Sequence, residues 1–248
     1  HIGINSKVLL AAMMPATWAT ASTSPFLIPP VLIRSRVSFF IYNHCILQQV
    51  VIMNKNIDIT GIELHTKRLM LRPWSMNDLD DFFAYASIDG VGQMAGWFPH
   101  QNIEESKKIL KMFIDGKKTF AIVLDGRAVG SIGIEEYDEK EFPEFAQEKV
   151  REIGFVLAKE YWGRGLMPEA AEEVIRWLFE EVQLDRILCG HFLNNQQSKR
   201  VQMKCGFVPY RVISYQTRMG TAEQTMMSFL TKEQWQDRCM TQKDKSSV

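Results

Sequence analysis

Gly163-Arg164-Gly165 follows an apolar, alternating stretch over 151–158 and precedes a helical pattern. Glycine lets a backbone turn sharply and come close to a ligand. Behind the pair, Pro168 and Glu169 suit a first helical turn, where proline gives up no needed amide and an acid complements the dipole. Ala170, Val174, Ile175, Leu178, Phe179 and Val182 then recur at helical spacing. A strand–loop–helix of this kind aims free N–H groups and the positive end of a helix at one spot, which suits a phosphate. A plain strand-to-helix turn is the alternative. The loop lacks the Gly-Lys-Ser/Thr of a P-loop and the third glycine of a dinucleotide fingerprint.

Other polar residues could also do chemistry. Period-2 alternation puts Glu152 on one strand face with Gly154 and Val156. It is either a working carboxylate, a solvated strand-edge acid, or a partner of Arg151 or Lys149. Asn195 can cap a helix whose first turn holds Ser198. Lys199 and Arg200 follow on that helix, as anion ligands or as a solvated face. His191 ends a strand nearby, where a satisfied structural histidine is the commoner case. Trp97, Phe98 and His100 stand in a glycine-rich stretch and could wall a pocket, form a lid or join the core.

The 248 residues suffice for one large domain or two small ones. Lys+Arg and Asp+Glu both total 29, so no gross charge argues for nucleic acid. Residues 1–52 contain no Asp or Glu and only Lys7, Arg34 and Arg36 as bases, which leaves 26 basic and 29 acidic groups beyond them, about −3 net. This first segment is apolar and begins with His1, whereas Met53 opens ordinary globular sequence. The expectation is a natural start at Met53, with 1–52 an appended or upstream-translated, non-native or unstructured extension. A secretion signal is the competing reading: Lys7, an apolar Val8–Met14 core broken at Pro15, and Ala19-Thr-Ala21 as a cleavage site. Neither this run nor a second one from Val37 to Ile52 reaches the length of a membrane span. The cysteines at 45, 189, 205 and 239 form no CxxC pair and no zinc spacing, so reduced thiols, no metal and a cytoplasmic protein are expected.

The elements follow in order. Thr66–Arg72 alternates up to Pro73 and predicts a first strand. Ser75 with Asp78 predicts a capped helix carrying Leu79, Phe82, Phe83 and Tyr85. After a loop over 89–102, a helix runs from Ile103 to Phe113 and stops near Gly116. Phe120–Leu124, Asp125-Gly126 and Ala128–Ile134 read as a hairpin. An acidic surface loop is expected over 135–149. Strands are expected over Arg186–Phe192, 207–215 and 224–230, with helices over 195–205 and 231–238 and a frayed polar tail over 241–248. This order predicts a mixed sheet with helices on both faces, α/β or α+β, in one domain.

Four segments resemble the GNAT superfamily of acyl-CoA-dependent N-acyltransferases, and more closely its ribosomal-protein-alanine acetyltransferase (Rim-type) branch. They are Thr66-Lys-Arg-Leu-Met-Leu-Arg-Pro-Trp74; the hairpin ending Val129-Gly-Ser-Ile-Gly133; Glu152-Ile-Gly-Phe155 running into Trp162-Gly-Arg-Gly165 and Glu169-Ala170; and Asn195-Gln-Gln-Ser198 with Lys204-Cys-Gly-Phe207. The last two, with a helix and a strand between, are the specific part. The resemblance spans about 64–232 and implies one GNAT-like domain over 53–240, its twisted sheet mostly antiparallel.

That resemblance implies an acetyl-CoA-dependent N-acetyltransferase acting on a primary amine, either small or at a protein N-terminus. Trp162, Gly163, Arg164, Gly165, Leu166 and Met167 would hold the CoA pyrophosphate, joined by Arg200. The amides of Val156 and Leu157 would meet the pantetheine and the oxyanion, and Asn195 the pantetheine arm. Glu152 would be the base, commonly through a water, and Ser198 would protonate the thiolate or orient a water. Trp97, Phe98 and His100 would bind the acceptor. The resemblance implies no metal, nucleic acid or membrane partner, and a monomer or homodimer. Three positions depart from the family: Glu160 for Gln or Arg, Leu166-Met-Pro-Glu169 for Tyr-Ala-Thr-Glu, and Gln202 for the tyrosine that many members use as general acid. The last departure keeps a second class open, an acyl-CoA-binding module without turnover.

Overall fold

The computed structural model describes residues 56–246. The expected 1–52 extension, residues 53–55 and the last two residues lie outside the described residues. Eight strands, β1 (Leu64–His65), β2 (Met70–Pro73), β3 (Thr119–Leu124), β4 (Arg127–Glu135), β5 (Val150–Leu157), β6 (Arg186–Phe192), β7 (Val208–Gln216) and β8 (Ala222–Thr231), form one sheet in the order β1-β2-β3-β4-β5-β6-β8-β7. The helices are α1 (Leu79–Ala86), α2 (Ile103–Gly116), α3 (Leu166–Glu180), α4 (Gln196–Lys204) and α5 (Lys232–Ser246).

All strand pairs are antiparallel except β5–β6, which are parallel and joined through α3. That parallel ladder covers only Val150–Glu152 against Arg186–Leu188. Beyond it β5 and β6 diverge, and the sheet opens as a wedge. Helices cover both faces. The apolar stripe of α3, from Ala170 to Phe179, packs with Phe120, Ile132 and Ile153, and Phe179 meets Trp235 of α5. On the other face Phe82 and Tyr85 of α1 and Leu110 and Phe113 of α2 pack on Ala121, Val123 and Val156.

The Asp125-Gly126 turn has positive φ at both residues, 50° and 81°, the geometry that matches the twist of a two-residue hairpin. Three expectations change. The Thr66–Arg72 stretch is not one strand: Thr66 N donates to Leu69 O and Leu69 N to Thr66 Oγ1, closing a turn between β1 and β2. Local side-chain bonding of this kind competes with the ladder. The 135–149 loop buries Tyr137, Phe142 and Phe145 against Val150, Leu188 and Met227, so it is a small core and not merely surface. The last helix continues as α5 to Ser246, past its expected end near 238.

Ser75 and Asp78 form the expected box. Ser75 N donates to Asp78 Oδ2 at 2.9 Å, and a single 3-10 turn then leads into α1. Arg72 also grips Asp78 with two bonds, 2.7 and 2.8 Å. Burial alone would raise this carboxyl, but the Arg72 pair and the Ser75 N–H together hold it below the ordinary aspartate value. A depressed folded-state pKa gives stability that is present above the unfolded value, about 3.9, and lost as pH falls through the folded one. Asp78→Asn is therefore expected to lower the urea midpoint at pH 7, and the gap to wild type should close below about pH 4. A gap of constant size down to pH 3 would contradict this.

Candidate active site

The wedge between β5 and β6 opens into a cleft of about 270 Å³. One wall is the end of β5, Phe155 to Leu157, and the loop beyond it. Ala158 N donates to Val129 O on β4, so alternation along the antiparallel ladder pairs Val156 with Ser131 and turns the backbone of Leu157 toward the gap. Of the two amides expected there, only that of Leu157 is free of the β4 ladder. Val156 contributes its side chain. The Leu157 carbonyl is already taken by Trp162 Nε1 at 2.8 Å, which pins the loop to the strand end.

Gly163 and Gly165 have φ of 75° and 74°, a conformation that glycine adopts at little cost. A side chain at Gly163 would project into open space. The loop therefore leaves its backbone uncovered at the start of α3, a fit for phosphate oxygens. The loop is held from outside. Glu169 accepts from Thr66 Oγ1 (2.6 Å), Arg68 N (2.9 Å) and Arg68 Nε (2.7 Å). Arg68 Nη1 in turn donates to the Arg164 carbonyl at 3.0 Å. Leu166 and Met167 line the cleft as expected. Arg164 is not among the lining residues; its guanidinium lies over the ring of Tyr161, which does line the cleft, at 5.3 Å. Cation–π packing gives that long side chain a place against the loop.

The opposite wall is the start of α4. Asn195 Oδ1 caps it by accepting from Ser198 N at 3.0 Å, and Asn195 Nδ2 donates to Met94 O at 3.2 Å, tying the 89–102 segment over the cleft. Asn195, Ser198, Arg200 and Lys204 all line the cleft, whereas Lys199 does not. Gln202 is buried and satisfied. Its Nε2 donates to Gly190 O at 3.0 Å, with Ser198 Oγ at 3.4 Å, so its Oε1 accepts from His191 Nδ1 at 3.0 Å. His191 is thus a structural histidine with its proton on Nδ1. Burial lowers its pKa, against the opposing pull of the Gln202 bond.

A second cavity, of about 170 Å³, lies on the other side of β5 under α1 and α2. Trp97, Phe98 and His100 all line it, with Phe98 at the exposed rim. His100 Nδ1 is bonded to Ser106 Oγ at 2.7 Å, and burial lowers its pKa, so the ring is neutral near pH 7. Val156 belongs to both linings and is where the cavities meet. Glu152 lines neither cavity. It is 4 % exposed, opposite Glu135 on β4 and four ladder pairs from Val156. Only the facing glycines Gly133 and Gly154 stand between them on that face.

Sequence reasoning missed Tyr161, Val91, Met94, Ala95 and Lys204 in the cleft, and Tyr85 and Ser131 in the second cavity. Tyr161 adjoins the glycine loop and could have been included. Met94 arrives through a contact spanning 101 residues, for which the sequence holds no local signal.

A family model described as an acetyltransferase (GNAT) domain matches residues 68–208. An uncharacterized N-acetyltransferase of Bacillus subtilis (strain 168), YoaA, is 30% identical over 177 residues, 68% of this chain and 96% of the relative. A putative ribosomal N-acetyltransferase of the same organism, YdaF, is 29% identical over 87 residues, 35% of this chain and 44% of the relative. A GNAT-family acetyltransferase structure from Bacillus anthracis superposes with a TM-score of 0.61 at 21% identity, covering 69% of this chain and 99% of that one. A microcin C7 self-immunity acetyltransferase solved with acetyl-CoA and AMP gives a TM-score of 0.55 at 14% identity, over 66% of this chain and 93% of that one.

Proposed function

The chain belongs to the GNAT acetyltransferase family, and from that we propose that it transfers the acetyl group of acetyl-CoA to a primary amine by direct attack in a ternary complex. The supporting observation is the meeting of two cavities at Val156, one on each side of β5. Acetyl-CoA supplies an activated acyl group as a thioester. In this reading the backbone of 163–165 and the first turn of α3 hold the pyrophosphate, with Trp162 pinning the loop, and Arg200 and Lys204 add positive charge. The Leu157 amide, Asn195 and Ser198 face the pantetheine and thioester end. Trp97, Phe98 and His100 wall the acceptor.

The reaction forms a C–N bond and breaks the C–S bond. A proton must leave the ammonium, and one must reach the departing thiolate. Glu152 takes the first through a water over the Gly133–Gly154 floor. Ser198, held by the α4 cap, gives or relays the second. The Leu157 N–H, free of the β4 ladder, stabilises the oxyanion in this reading. Isothermal titration with acetyl-CoA tests the ligand, and free-thiol release with a panel of small amines and peptides tests the reaction. No binding would sink the proposal. Binding without thiol release on any acceptor would favour a non-catalytic acyl-CoA module, the reading suggested by Gln202 in the usual tyrosine position.

A further inference from the structure

Gln202 sits behind the cleft wall, one helical turn beyond Ser198 on the same side of α4. It is 2 % exposed and does not line the cleft, whereas Ser198 does. Its amide has two hydrogens and an oxygen to place, and its partners leave one arrangement. The Gly190 carbonyl can only accept, so the amide nitrogen must face it, at 3.0 Å. The amide oxygen then faces His191 Nδ1, which donates to it at 3.0 Å. The second amide hydrogen is directed at Ser198 Oγ, at 3.4 Å. The chain therefore runs one way, from His191 through Gln202 to Ser198.

This polarity has a consequence for Ser198. A hydroxyl carries one hydrogen and two lone pairs. One lone pair is turned to Gln202, and the Ser198 backbone is fixed by its N–H bond to Asn195 Oδ1 at 3.0 Å. The hydroxyl hydrogen meets no acceptor among the described residues, and the side chain stands on the cleft wall. We propose that Gln202 is a positioning residue for the transfer: anchored by His191 and Gly190, it fixes Ser198 as a hydrogen-bond donor toward the sulfur of CoA. The place where many family members carry a tyrosine acid is thus held by a group that aims a neighbouring donor. The inference rests on the reading that the thioester lies beside Ser198. When the C–S bond breaks, its electron pair stays on sulfur and Ser198 donates to it; a proton from water, relayed across that hydroxyl, completes the thiol.

A donor held in this way favours the anionic form of the thiol it meets. The test therefore follows the sulfur of bound CoA and needs no acceptor amine: an NMR pH titration of the complex, with CoA labelled at the carbon bearing the sulfur. Relative to wild type, Ser198→Ala and Gln202→Met are each expected to raise the pKa of the bound thiol by about one pH unit or more. Gln202→Glu should act in the same direction, since an ionised carboxylate draws the Ser198 hydrogen to itself and away from the cleft; it also keeps an acceptor for His191 if the methionine variant does not fold. Adding Gln202→Met to Ser198→Ala should raise the thiol no further, because Gln202 acts through Ser198. A loss of packing alone would leave the thiol where it is in wild type. An unchanged thiol in the Gln202 variants, or effects at the two positions that simply add, would overturn the inference. Failure of the wild-type protein to bind CoA would instead remove the function on which it rests.

Discussion

Glu152→Gln is expected to lower kcat at neutral pH by about two to three orders of magnitude, while the Kd for acetyl-CoA stays within about twofold. Glutamine keeps the shape but cannot accept a proton from the ammonium. Glu152 lies about 13 Å along the strand from Val156, too far for direct contact. On that face only Gly133 and Gly154 lie between them, so a water-mediated reach would run over their bare backbone. Glu135 stands on the same rung, its pKa raised by burial against the pull of Lys118. The discriminating measurement is the pH–rate profile. Loss of a base removes the acidic limb of kcat/KM, whereas a merely structural loss lowers the whole curve evenly. A variant with wild-type turnover would exclude Glu152 from the reaction.

Glu169→Ala should weaken acetyl-CoA binding by about tenfold to a hundredfold with little change in kcat at saturation. The loop at 163–165 contains two residues in the left-handed region. Its order comes from outside, through Glu169 to Thr66 and Arg68, and through Arg68 to the Arg164 carbonyl. With Arg68 half-exposed, this group of bonds together contributes about 1.5–3 kcal/mol to order. Without them the loop would have to be fixed at the moment of binding, and affinity would fall by that cost. Titration calorimetry on the variant checks this, with a urea midpoint to show that the fold is intact. An unchanged Kd would mean that the glycine loop orders itself.

The contrast between these residues shows where sequence reading succeeds. Asp125-Gly126, the Ser75–Asp78 box and the Asn195 cap are encoded within four residues, and each forms as expected. The glycine loop is legible for the same reason. The Glu169–Arg68 tie joins residues 101 apart, so nothing local announces it. The direction of the Arg164 side chain depends on what it can pack on, here Tyr161, which the sequence does not state. Val156 and Leu157 look equivalent in sequence, and only the phase of the β4 ladder separates them. The second cavity needed α1, α2 and β4 to come together before Tyr85 and Ser131 could be seen as neighbours.

The three-pair seam between β5 and β6 has a mechanical consequence. The helix-backed half that ends at β5 and the half that begins at β6 are stitched over a short length and then part. A molecule lying in that parting would bridge the two halves as a keystone bridges an arch. On the proposed function the cosubstrate is thus also a structural member. Saturation at about a hundred times its Kd would add about 2.7 kcal/mol to the folded state. Each turnover would then loosen the arch as the spent thiol departs, and the next acetyl-CoA would tighten it.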